Sequence, residues 1–288
     1  MGAWVDGTAY PAAGAARNSR DEAAAAGAWA TGEPTIGRRH DDEGDPAVSS
    51  PQPEPATYEI AGQTVTMPCV VRDASAGTAM FGVDAGAARA QVPEAFDVVE
   101  TAPGRCQVVL AVIDYRDNDL GDYLEVGVTF FVTPAGGPAD QAGTFITRLP
   151  VNQSFTCEAG RTIWGFPKAV EDIALEYADT SVTCTLRMDG QLVLRLTLPR
   201  GGDDEMPPMP MTTYSLIDGV PNATAFSQGG AGSQVLVGGE GVTLELGDHP
   251  VAKELASLGL PATADMSTWT ERMQGTFETP VPLTAAAD

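Results

Sequence analysis

The chain has 288 residues, 43% of them hydrophobic, enough to bury a substantial core in one large domain or two small ones. Its 39 acidic against 16 basic residues leave a formal net charge of −23 and a pI near 4.2, which excludes the basic surface that nucleic acid or an anionic membrane requires. No apolar run approaches the ~18 residues of a membrane span, and the N-terminal stretch lacks the basic and apolar regions of a secretory signal, so a cytoplasmic protein is expected.

Residues 1–54 are rich in Ala, Gly, Pro, Asp and Glu without a sustained period and read as a disordered, acidic tail. From Thr57 the texture changes to short β-rich runs separated by Gly, Asp and Pro, so the folded domain is expected over 55–288. Strands are expected at 57–60, 63–71, 106–115, 122–132, 143–151 and 172–177. Others follow at 181–188, 191–198, 233–239, 242–247 and 272–278, with Asp189-Gly190 marking a tight hairpin. Two helices are expected. One is capped by Asp84 and stops before Pro93; the other opens after Asp248, with Pro250 near its first position, and ends at Gly259. The glycine-rich stretch 227–241 reads as a mobile loop or hairpin turn, since it has neither the GxxxxGK[ST] pattern nor the strand-turn-helix context of a phosphate cradle. Strand and long helix do not alternate, so the fold class is α+β, predominantly antiparallel β.

Cys69, Cys106, Cys157 and Cys184 lie far apart with no CxxC and no neighbouring His, which fits neither a zinc site nor a disulfide framework, and no metal is expected. Of the two histidines, His40 falls in the tail and His249 opens a helix, which argues against a Ser-His-Asp hydrolase or a His general base.

Two other residues carry chemical interest. In the strand at 122–132, alternation puts Leu124, Val126, Val128, Phe130 and Val132 on one face, an apolar stripe. The opposite face, Tyr123, Glu125, Gly127, Thr129 and Phe131, is mixed; it fits solvent or the lining of a cavity, and pattern alone favours solvent. Lys168 is one of only two lysines and follows Trp164, Phe166 and Pro167. It is either a surface lysine lying over aromatic neighbours or an amine nucleophile activated by burial. At a pKa of ~10.4 about one lysine in 2,500 is neutral at pH 7, whereas a value near ~7 makes it one in two.

The segment "GRTIWGFPK", Gly160 to Lys168, resembles the active-site segment of the acetoacetate decarboxylase family, in which a Gly-Arg pair precedes an aromatic residue, a proline and a Schiff-base lysine at fixed spacing. "LGDYLE", ending at Glu125, is similar to the family's upstream strand with its pocket glutamate, and "VPEAFDVV", from Val92, to its early Val-Pro-Glu turn. The resemblance implies a barrel-like or cone-like sheet with few helices and a homo-oligomer. It implies a small-molecule keto acid as substrate, Lys168 as the nucleophile and Glu125 as the pocket carboxylate. No metal or organic cofactor is implied, because the protonated imine is itself the electron sink. Trp164 and Phe166 become the apolar groups around amine and substrate, and Tyr115, Tyr123, Arg161 and Tyr214 candidates for orienting a substrate carboxylate.

Departures from the family pattern matter as much. Ala169 stands where the decarboxylase proper has a second lysine, so the like-charge contribution to a lowered amine pKa is missing and any depression must come from desolvation. A second family glutamate aligns at or near Leu110, and the nearest counterpart of the substrate-facing arginine, Arg72, is about two positions off. The leading reading is decarboxylation of a β-keto acid through Lys168. One alternative is an aldolase-dehydratase using an α-keto acid such as pyruvate; another is a non-catalytic small-molecule binding protein that keeps the barrel.

Overall fold

The computed structural model describes residues 55–283, so the expected tail at 1–54 lies outside the described residues. The chain opens with β1 (Thr57–Ile60), β2 (Gln63–Thr66), β3 (Cys69–Asp84), α1 (Ala85–Arg89), β4 (Phe96–Val98), β5 (Glu100–Ala102), β6 (Arg105–Asn118) and β7 (Tyr123–Pro134). It continues with β8 (Gly143–Val151), α2 (Ser154–Trp164), β9 (Lys168–Val170), β10 (Asp172–Tyr177), β11 (Ser181–Met188) and β12 (Gln191–Pro199). It closes with β13 (Asp204–Ile217), β14 (Val220–Val237), β15 (Thr243–Leu246), α3 (Pro250–Ser257), β16 (Met266–Phe277) and β17 (Val281–Pro282).

Seven strands form a closed barrel in the order β7-β6-β3-β16-β14-β13-β8, with β8 pairing back onto β7. Every neighbouring pair in it is antiparallel except β13 with β8. Strand β9 extends the sheet beyond β8 in parallel. Closure removes the unpaired edges that an open sheet leaves. A separate antiparallel sheet, β10-β11-β12-β15, covers one side. Its Val182, Cys184, Leu186, Leu196 and Leu198 share one core with the outward faces of β3, β6 and β7 and with Ala252 and Leu255 of α3. This is an α+β fold dominated by antiparallel strands, with three α-helices among the described residues.

Most of the expected strands form, and Asp189-Gly190 makes the β11-β12 hairpin with both residues at positive φ, 50° and 73°. Three differences have physical causes. The run 63–71 divides between Thr66 and Cys69 around Pro68, which cannot donate to a ladder. Beyond residue 71, β3 continues through small and polar residues because its neighbours are large: a Cβ on Gly77 would lie 2.5 Å from the Trp269 ring and 2.8 Å from Leu198. The glycine-rich stretch is not a loop up to Val237 but part of β14. There the chain passes so close to β13 and β16 that a side chain has no room; a Cβ on Gly229 would stand 2.7 Å from the Met206 carbonyl oxygen and 2.7 Å from the Pro208 nitrogen.

The third α-helix, α2, lies in a stretch where no helix was expected. Gln153 caps it by accepting a hydrogen bond from the Thr156 N–H at 2.6 Å, and Gly165, at φ 66°, ends it in the left-handed conformation. Its buried side, Thr156, Cys157, Ala159, Gly160, Ile163 and Trp164, joins a second core with Ile60 and Val65 of the β1-β2 hairpin and with Tyr115 and Tyr123 of the barrel. Helix α1 is capped by Asp84 as expected, whereas α3 is capped by His249 rather than Asp248. All four cysteines are free and buried.

Candidate active site

The pleat of β7 sends its two faces to different places. Val126, Val128, Phe130 and Val132 enter the core shared with the covering sheet, while Tyr123, Glu125, Gly127, Thr129 and Phe131 line a cavity inside the barrel. The solvent placement favoured by pattern for that mixed face is therefore corrected: closure of β7 onto β8 turns it inward. The same division on β6 sends Val109, Ala111, Ile113 and Tyr115 to the cavity and Leu110 to the outer core, away from the site.

Lys168 reaches this cavity by way of α2. Gly165 reverses the chain, the Phe166 N–H donates to the Gly160 carbonyl at 3.0 Å, and Lys168 then pairs with Leu149 of β8. The lysine stem lies against Gly160, where a Cβ would stand 2.5 Å from Cδ and 2.7 Å from Cε. The glycine eight residues upstream is thus the surface on which the lysine rests.

The amine is buried, with side-chain exposure of 4% for Lys168 and 8% for Glu125. Nζ stands 2.9 Å from Glu125 Oε2, donates to Thr156 Oγ1 at 2.9 Å, and lies 4.8 Å from the Tyr123 ring centroid. The Tyr115 hydroxyl donates to Glu125 Oε1 at 3.4 Å, and the Tyr115 and Tyr123 rings stack at 4.4 Å. Thr156 went unnoticed in the sequence because the helix that aims it was not expected; its position one turn before Gly160 is the only signal.

Burial opposes charge on Lys168, yet the Glu125 carboxylate and Tyr123 together outweigh it and hold the amine above its ordinary pKa. Desolvation by Trp164 and Phe166 therefore does not produce a net depression, contrary to the expectation from sequence. Burial also raises both phenols, Tyr123 to about 12 and Tyr115 well above its usual range, so each remains a neutral hydrogen-bonding group at physiological pH.

The cavity has a volume of about 460 Å³. Tyr115, Tyr123, Glu125, Trp164, Phe166 and Lys168 all line it, and among the described residues Lys168 and Glu125 are its only charged side chains. Arg161 does not line it, being exposed on the far side of α2. Nor does Tyr214, whose hydroxyl donates to the Gln141 carbonyl at 2.7 Å beside a separate pocket of about 160 Å³. Arg72 is outside as well, paired with Asp117 at 2.8 Å and Asp119 at 2.6 Å. No helix among the described residues is long and apolar enough to cross a membrane.

Together, fold and site define a barrel protein whose interior presents one amine, clamped by a carboxylate, to a predominantly apolar space. The profile of the acetoacetate decarboxylase family matches residues 50–281, and the chain belongs to that family. Among solved structures, the acetoacetate decarboxylase of Legionella pneumophila has a TM-score of 0.57 at 18% identity, covering 75% of this chain and 87% of that one. The enduracididine biosynthesis enzyme MppR complexed with pyruvate has a TM-score of 0.53 at 14% identity, covering 77% and 93%. MppR complexed with the condensation product of pyruvate and imidazole 4-carboxaldehyde also scores 0.53 at 14%, covering 82% and 99%. At these identities the likeness is one of fold. No curated protein sequence matches the chain.

Proposed function

We propose that this chain is a Schiff-base lyase that makes or breaks a carbon–carbon bond beside a carbonyl group, with Lys168 as nucleophile and Glu125 as proton carrier. The observation that carries this reading is the buried Lys168–Glu125 pair, 2.9 Å apart in the cavity wall. The ammonium passes a proton to Glu125 across the 2.9 Å contact, an uphill step drawn forward by addition of the freed amine to the carbonyl. The neutral amine adds to the carbonyl carbon. Glu125 then protonates the carbinolamine hydroxyl, water leaves, and an iminium faces the restored carboxylate. This chemistry needs no other electron sink.

The family membership is common to two exits from the iminium. Loss of CO2 from a β-keto acid, the leading reading from sequence, sends the electron pair into the enamine without a base. It also brings a carboxylate into a cavity whose single cation among the described residues is already paired. Aldol-type chemistry instead needs a base at the imine, where Glu125 stands, and that observation favours it. In the cleavage direction Glu125 takes the proton of a β-hydroxyl, the bond between the α- and β-carbons breaks, and its electron pair forms the enamine as an aldehyde leaves. Glu125 returns the proton to the enamine carbon, and water releases the ketone and the amine.

The test combines trapping with turnover. Incubation with acetone, pyruvate or acetoacetate and then borohydride is expected to leave an adduct on Lys168 by peptide mass spectrometry, absent from Lys168→Gln. Release of benzaldehyde and acetone from 4-hydroxy-4-phenylbutan-2-one identifies the aldol-type exit, and release of CO2 from acetoacetate identifies decarboxylation. Ligand binding that survives Lys168→Arg with no adduct from any carbonyl compound overturns the proposal in favour of a binding protein. A homo-oligomer in the cytoplasm is part of the proposal, read by light scattering and cell fractionation.

A further inference from the structure

The cavity's far wall has a construction that the amine chemistry does not require. Strand β13 carries "EMPPMPM", and Met206, Met209 and Met211 all line the cavity. Strict alternation would put Met206 and Met209 on opposite faces of the strand. The β13-β14 register slips between them, at Pro207 and Pro208, and the slip turns both inward. Met80 and Met273 also line the cavity, so five of the chain's nine methionines face it. Phe226 and Phe277 stack at 5.3 Å in the same lining. Met209 is 52% exposed and Val235 61% exposed, so the apolar lining runs out to solvent at a mouth.

Among the described residues, the polar lining side chains other than Lys168 and Glu125 are uncharged, Thr129, Gln228 and Gln234 being three of them. At about 460 Å³ the space falls within the ~300–1,000 Å³ typical of pockets that enclose drug-sized ligands, and a four-carbon keto acid leaves most of it empty. Such an acid would also place its carboxylate among uncharged groups and within reach of Glu125, whose like charge repels it. Methionine's unbranched thioether fits itself to apolar ligands of varied shape.

Resting on the Schiff-base reading, we propose that the substrate class is a neutral carbonyl compound bearing an extended alkyl or aryl group. Its carbonyl condenses with Lys168, and its apolar tail lies along Met206, Met209 and Met211 toward the mouth. A β-hydroxy ketone of this type undergoes the cleavage written above, with no oxidant, reductant or co-reactant beyond water.

The experiment is a chain-length series on the intact protein. Acetone, 2-pentanone, 2-heptanone, 2-nonanone, pyruvate and acetoacetate are each titrated in the borohydride trap, and the half-saturating concentration is read at Lys168. Lys253, exposed on α3, reports adventitious labelling in the same digest. Each methylene fully buried is worth about fourfold in binding, so 2-nonanone is expected to half-saturate at least ~10-fold below acetone and below both keto acids. In Met209→Ala/Met211→Ala the ratio between acetone and 2-nonanone is expected to shrink, and the wild-type series stands alone if that variant does not fold. Labelling of Lys168 by pyruvate or acetoacetate at lower concentrations than 2-nonanone, or independence of chain length, overturns this inference and leaves the Schiff base intact. No adduct on Lys168 with any compound overturns both.

Discussion

Replacing Gly160 with alanine perturbs the contact that seats the nucleophile, and the structure gives its size. The new Cβ would meet Lys168 Cδ at 2.5 Å, Cε at 2.7 Å and Cγ at 3.2 Å. Carbon atoms rest at ~3.5–4.0 Å, so the stem must retreat by roughly 1 Å. It is not free to swing, because Nζ is held by Glu125 and Thr156, each at 2.9 Å. Either those bonds lengthen or α2 shifts. Overpacking of this kind costs about 1–3 kcal/mol, and the better helix propensity of alanine returns up to about 1 kcal/mol. The net loss is then about 0–3 kcal/mol, a fall in Tm of at most about 12 °C at ~2–4 °C per kcal/mol. A displacement near 1 Å in a reacting group slows chemistry by about 10²-fold. The expected Gly160→Ala protein is therefore folded but traps acetone on Lys168 about a hundredfold more slowly, as seen by mass spectrometry beside a thermal melt. Wild-type trapping rates would refute the seating of the stem on Gly160, and a protein that does not fold would refute the claim that the side chain yields.

Four further outcomes follow from the same geometry. Glu125→Gln removes both the proton carrier and the charge that opposes burial, so trapping slows at least about 10²-fold and the pKa of Lys168 falls, measured as a lower pH midpoint for its chemical modification. In the wild type the raised amine pKa adds stability that is present below the unfolded value of 10.5 and lost as pH rises through the folded value; alkaline melts on the two proteins should show that loss only with Glu125 in place. Thr156→Val takes one acceptor from a buried charged donor, costing about 1–3 kcal/mol by denaturant titration and slowing trapping, whereas Thr156→Ser restores both. Lys168→Met leaves the Glu125 carboxylate buried and unpaired, a loss of about 3–5 kcal/mol, and Lys168→Met/Glu125→Leu recovers most of it; equal stability of the two would refute the buried ion pair.

The residues of the sequence determined much of this protein by short-range rules. Two-residue alternation along β7 separated Val126, Val128 and Phe130 from Glu125 and Thr129 because the pleat depends only on local backbone geometry. Asp189-Gly190 announced its hairpin because its backbone conformation is a property of those residues. The spacing of Gly160 to Lys168 was legible as a motif, though not its reason, which is a contact between a helix and a strand. Helix α2 was illegible since its 11 residues are held less by their own propensities than by burial against the barrel and the β1-β2 hairpin. Arg161 and Tyr214 sat correctly in residue type for a carboxylate but were turned elsewhere by helix face and sheet register. Whether the mixed face of β7 met water or a cavity was decided only when β8 closed the barrel. The charge state of Lys168 was decided in the same way. Its apolar neighbours stand within four residues in sequence, but Glu125, which with Tyr123 outweighs their burial, comes from a strand that reaches the amine only through the tertiary fold.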